Sequence, residues 1–127
     1  MLSLILLLSL TSTAEVRVSN SHLVVTCVAG QSVANTPRRW NLAQPTAFTF
    51  TMRNQPRPGI ENREPGLAVI SFTPQAGHEY EIEVRSDASA FSRRVWTKGE
   101  WKPVVRDRTT DRIVSSEPVW IERGCAE

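Results

Sequence analysis

At 127 residues the chain is long enough to bury one hydrophobic core and short for two ordinary domains. A net charge of +2, from 15 basic and 13 acidic residues, lacks the electrostatic footprint of a dedicated nucleic-acid binder. With 40% hydrophobic and 22% charged residues, the composition is that of a globular protein and excludes wholesale disorder.

Residues 1–14 form an uncharged, leucine-rich run ending in Ser12-Thr13-Ala14, followed at once by Glu15-Val16-Arg17. The run is too short to cross a bilayer as a helix, which needs about 20 apolar residues. It has the apolar region and small-residue cleavage site of a secretory leader, although Lys and Arg are missing from its start. The expected organisation is therefore a leader at 1–14 and a single domain at 15–127. The alternative is a mis-set start or an apolar first strand of a cytoplasmic protein. Export would place Cys27 and Cys125, the only cysteines, where a disulfide forms and persists. Val25 and Thr26 before Cys27 do not match a lipoprotein signal, which wants a small residue just before the cysteine.

Along the rest of the chain, apolar residues recur at period two and no helical stripe is found. Residues 22–29 are apolar on both alternating faces and predict a central strand that ends at Gly30. Residues 46–54 alternate, with Phe48, Phe50 and Met52 on one face and Thr49, Thr51 and Arg53 on the other. The segment 54–66 is irregular and rich in proline and glycine; its Arg57 and Arg63 are candidate binding residues. Residues 67–73 predict a third strand burying Ala68, Ile70 and Phe72, closed by a turn at Pro74 and Gly77.

The next strand is the clearest: Tyr80, Ile82 and Val84 point one way, and Glu79, Glu81, Glu83 and Arg85 the other. Residues 91–96 and 101–106 read as two more strands, the second pushed towards a sheet edge by Pro103. Residues 112–115 are expected to pair back on 104–106, and 119–122 to close the chain beside Cys125. Seven or eight short strands separated by turn signals predict an all-β protein, a single antiparallel β-sandwich of immunoglobulin-like or transthyretin-like kind.

Cys27 and Cys125 are expected to pair, closing a loop of nearly the whole domain. In the chain-entropy account a loop of that size contributes about 4.7 kcal/mol at most. Two isolated cysteines lack the spacing of a zinc motif, so no metal site is expected. No nucleophile elbow, zinc helix, phosphate loop or dinucleotide fingerprint occurs, so no cofactor is expected. A small hydrolase would rest on His78 and the acidic row 79/81/83 alone. His78 is better read as a turn residue, and the carboxylates as the wet face of a sheet paired across strands with Arg93 or Arg94. Arginine and tryptophan interleave at Arg94, Trp96 and Trp101, which could stack a base or a sugar ring. The competing reading makes Trp40, Trp96, Trp101 and Trp120 core or rim volume.

At Phe72-Thr73-Pro74-Gln75-Ala76-Gly77-His78-Glu79-Tyr80 the chain resembles a turn found in small exported, lipoprotein-like bacterial β-sandwich proteins. The resemblance implies a β-sandwich in the cell envelope and carries no catalytic residue. The expectation is a periplasmic or secreted, non-catalytic binding or structural module without a transmembrane span in the mature chain. Its partner would be an envelope protein or a glycan, and the alternative is a carbohydrate or small-ligand binder.

Overall fold

The computed structural model describes residues 13–33, 38–54, 64–86 and 95–125. Ten strands lie in them: β1 (Ala14–Val18), β2 (Leu23–Val28), β3 (Gln31–Ser32), β4 (Arg39–Leu42), β5 (Thr46–Met52), β6 (Leu67–Phe72), β7 (Glu79–Ser86), β8 (Trp101–Asp107), β9 (Arg112–Ile113) and β10 (Val119–Ile121). They form two five-stranded sheets, in the orders β4-β1-β7-β8-β9 and β10-β6-β5-β2-β3. The protein is an all-β sandwich.

The period-two pattern explains why these sheets stack. Alternate residues of each strand point to one face, so Phe48, Phe50 and Met52 of β5 meet Ala68, Ile70 and Phe72 of β6 in one apolar layer. Val16, Tyr80, Ile82 and Val105 supply the facing layer from the other sheet. Aromatic rings bridge the two. Phe72 packs on Tyr80 at 5.1 Å between centroids, Trp40 edge-on to Phe48 at 5.4 Å, and Trp101 edge-on to Trp120 at 5.1 Å. Rings of this size dominate core energetics, and truncating a fully buried one such as Phe50 costs about 3–5 kcal/mol.

The architecture differs from the expected one in four places. Ten strands appear instead of seven or eight, because β1, β3 and β4 carried too few alternating residues to stand out. The sheets are not wholly antiparallel, since β1 runs parallel to β7 with Val16 opposite Tyr80. The segment 22–29 is not buried on both sides: Leu23, Val25 and Cys27 are buried, while Val24, Thr26 and Val28 are half-exposed. A register shift between Val25 and Cys27 interrupts its pairing with β5. Of the strand expected at 91–96, residues 91–94 lie outside the described residues, and Val95 and Trp96 are buried outside any strand.

β1 begins at Ala14, which is 1% exposed and packs in the core. The backbone amide of Gly77 donates to the Thr13 carbonyl at 3.1 Å. The last residue of the expected leader thus has a place in the folded sheet. Pro103 lies on β8 opposite Val84 of β7. Backbone groups of Val105 on the same strand face β9, and strand alternation turns the Pro103 nitrogen the same way. Pairing with β9 covers only Arg106 and Asp107, so the missing N–H interrupts no ladder.

Cys27 and Cys125 are joined by a disulfide, with Cα atoms 5.8 Å apart and 98 residues between them in sequence. Residues 122–125 carry the chain from β10, at one edge of its sheet, to β2 beside the other edge. Among the described residues, no helix is long and apolar enough to cross a membrane.

Candidate functional site

The chain between β9 and β10 closes one side of the sandwich by bonding to both sheets. The Val114 amide donates to the Val105 carbonyl at 2.9 Å, and the Val105 amide donates to Ser115 Oγ at 2.9 Å. One residue on, the Ser116 amide donates to the Ser71 carbonyl, and the Ser71 amide to Ser116 Oγ, both at 3.0 Å. A strand continued in either sheet would leave the other edge uncovered; this strap serves both. Clefts open at its two ends.

The first is a groove of about 420 Å³ at the end where β7 stops and β8 starts. That volume falls in the range of small-molecule pockets, roughly 300–1,000 Å³. Arg85 and Lys102 stand on one wall, Glu117 and Pro118 on the strap, and Trp101 and Trp120 form the aromatic part. Trp101 is 2% exposed and donates its indole N–H to the Pro65 carbonyl at 2.8 Å, which fixes the ring. Trp120 is half-buried at the rim, backed by Gly66, where an added Cβ would lie 3.2 Å from its ring. Thr97 donates its amide and its hydroxyl to the Glu100 carboxylate, shaping the turn that carries Gly99.

The second cleft, of about 480 Å³, lies at the opposite end of β8 and is lined by Ser71, Thr73, Tyr80, Asp107, Ser115 and other residues. His78 Nδ1 and Asp107 Oδ2 are 2.7 Å apart beside it. Asp107 Oδ1 also accepts the amides of Thr109 and Thr110, so the carboxylate shapes the β8–β9 hairpin. Burial opposes ionisation of Asp107, yet the His78 bond and the two amides outweigh it and hold the carboxyl below the usual range. Burial raises the Tyr80 phenol, with a smaller contribution from Asp107 and a partial offset from the Gln75 amide. No serine or threonine hydroxyl among the described residues hydrogen-bonds to His78. Among the described residues the dyad therefore has its orienting acid and no hydroxyl bonded to it as a nucleophile.

The acidic row 79/81/83 lies on the face turned away from the core, but it is not the wet face expected. Glu79 is exposed, Glu83 half-buried and Glu81 buried, and described arginines pair with the last two. Glu81 accepts from Arg108 at 2.7 Å and Glu83 from Arg106 at 3.1 Å, with Arg106 also reaching Asp111 at 3.2 Å. The Glu83 hydrogen bond and charge hold the Arg106 guanidinium above its ordinary range. These bases come from β8 and its hairpin because the β7–β8 register sets Glu81 opposite Arg106. Arg93 and Arg94 lie outside the described residues.

Of the expected binding residues, Arg57, Arg63 and Arg94 also fall outside the described residues. Trp96 is 1% exposed, clamped by Asn54, which donates Nδ2 to its carbonyl at 2.9 Å and accepts its amide at 2.7 Å. Trp96 and Trp101 are core residues, and only Trp101 borders the groove. Sequence reasoning missed Arg85 as a site residue and Trp120 as the groove's aromatic group. The available signal for Arg85 was its place at the end of an acidic row, where the sign of charge reverses. Among the described residues, no group of three or more His, Cys, Asp or Glu is placed to hold a metal ion. Compared with protein families, curated proteins and solved structures, the chain matches none.

Proposed function

We propose that this chain is an exported, non-catalytic binding module of the bacterial envelope, and that its ligand site is the groove between the β7–β8 end and the strap. The observation that carries the reading is the groove itself. An open cleft of about 420 Å³ combines a fixed tryptophan, a half-buried one and charged groups of both signs. Concave sites that mix an aromatic surface with a few placed polar groups are the ordinary form of small-molecule sites. The disulfide supports export, since such bonds persist in oxidising compartments. The leucine-rich residues 1–14 support it from the sequence side.

The second cleft supports the same assignment less well, because its one buried charge is already committed to three hydrogen bonds. The test has two arms. Fractionated cells should hold the oxidised protein outside the cytoplasm. A library of sugars, amino acids and small carboxylates, screened by ligand-observed NMR, should yield a binder that shifts the backbone signals of Gly99, Lys102 and Trp120. A cytoplasmic protein with both thiols reduced would remove the export half. Binders that shift only signals around Ser71 and Thr73 would move the site to the other cleft.

A further inference from the structure

The β7–β8 ladder sets Arg85 directly opposite Lys102. Like charges placed across strands repel, so this pair is unfavourable where it stands. The rest of the same face is arranged otherwise. Glu81 and Glu83 are matched with Arg108 and Arg106 at 2.7 and 3.1 Å. Charge compensation is therefore close at Glu81 and Glu83, while at the groove Lys102 has only an exposed Glu117 and Arg85 has no ion pair among the described residues.

Neither cation at that end is well neutralised. Lys102 Nζ lies 3.4 Å from Glu117 Oε2, but the Glu117 side chain is 86% exposed, and an exposed pair of this kind is weak and screened by salt. Arg85 is exposed and makes no ion pair or side-chain hydrogen bond with any described residue. Both cations line the groove together with Trp120. A planar guanidinium with free donors is the side chain best suited to hold a carboxylate through two parallel bonds.

We infer that the groove binds a carboxylate-bearing sugar, a uronic acid unit, with the carboxylate held by Arg85 and Lys102 and the ring against the accessible part of Trp120. This rests on the groove being the ligand site and names the class of its ligand. The carboxylate relieves the Arg85–Lys102 repulsion. The hydroxyls of the sugar match the polar wall of Ser86, Glu117 and the Gly99–Glu100 turn. Acceptors on that wall suit the several hydroxyl donors of a sugar ring, which sulfate or chloride does not offer.

The experiment is calorimetric titration of the oxidised, full folded chain with a galacturonic acid trisaccharide, with the neutral galactose trisaccharide, and with a short polyglutamate peptide. The acidic sugar should bind about tenfold or more tightly than the neutral one, and its affinity should fall as salt rises. Arg85→Gln and Lys102→Gln, both on exposed or half-exposed side chains, should each remove about tenfold from the acidic sugar without lowering the melting temperature. Equal affinity for the acidic and neutral sugars would overturn the inference while leaving the groove as a ligand site. So would binding of the peptide but neither sugar. Acidic-sugar binding that ignores both substitutions would overturn the inference and the assignment of the groove together.

Discussion

His78 and Asp107 are joined by a 2.7 Å contact between Nδ1 and Oδ2, with the Asp107 side chain only 4% exposed. The pair ties the turn before β7 to the hairpin after β8. Because Asp107 titrates lower in the folded chain than its ordinary value of about 3.9, its ionised form stabilises the fold. That contribution is fully present above about pH 3.9 and is lost as the pH falls through the folded-state value. Asp107→Asn should destabilise the protein at neutral pH by about 1–3 kcal/mol and flatten the acid limb of stability against pH. Urea titrations of both proteins between pH 7 and 2 provide the measurement; parallel curves would contradict the assignment.

The Cys27–Cys125 bond fastens the chain end after β10 to β2. Cys125→Ser breaks it at the less buried end and spares the buried position of Cys27. The expected loss is about 2–5 kcal/mol, seen as a lower urea midpoint and reproduced in the native chain by reductant. A midpoint that moves with neither treatment would mean that the bond contributes nothing to the folded state.

Gly66 has φ +81, and a Cβ there would lie 3.1 Å from Lys98 Cβ and 3.2 Å from the Trp120 ring. Gly66→Ala therefore combines a left-handed backbone with two close contacts, one of them on the groove's aromatic wall. It should cost about 1–3 kcal/mol and displace Trp120. The near-ultraviolet circular dichroism of the coupled Trp101–Trp120 pair should change with it. An unaltered spectrum would show that Trp120 does not depend on this approach.

Ala14 is a buried member of β1, opposite Leu42, and the Thr13 carbonyl accepts from Gly77. A chain starting at Glu15 loses that methyl burial and that hydrogen bond. It also places an α-ammonium beside the fully buried Val16. It should be less stable than a chain starting at Thr13 by about 1–2 kcal/mol. Equal urea midpoints for the two purified forms would refute this, and mass spectrometry of the protein recovered from its native cells gives the native start.

Some of this was open to direct reading. The strands β5, β6 and β7 are long enough for alternation to separate an apolar face from a polar one. Phe48, Phe50, Ala68, Ile70, Phe72, Tyr80 and Ile82 were accordingly placed on the core side, where they lie. The return of 112–115 on 104–106 followed from the turn at 108–111, and the structure pairs Ile113 with Arg106. By contrast, β4 has four residues, Arg39 to Leu42, with only Trp40 and Leu42 to mark a face. The strand β1 was hidden at the end of an apolar run with a different explanation. Sequence alone could not tell an apolar residue awaiting cleavage from one awaiting a neighbour.

What the chain carries in its own residues is the class of the fold: period-two patterning calls for sheets with one face hidden from water, as stacked layers or a closed barrel. The groove was decided by tertiary structure. It depends on register, which sets Arg85 against Lys102, and on a strap that brings Trp120 beside Trp101 from the opposite sheet. Such neighbours stand 17 and 19 residues apart, beyond the span of a strand's own alternation. Their meeting is fixed by how the whole core closes, and no local pattern encodes it.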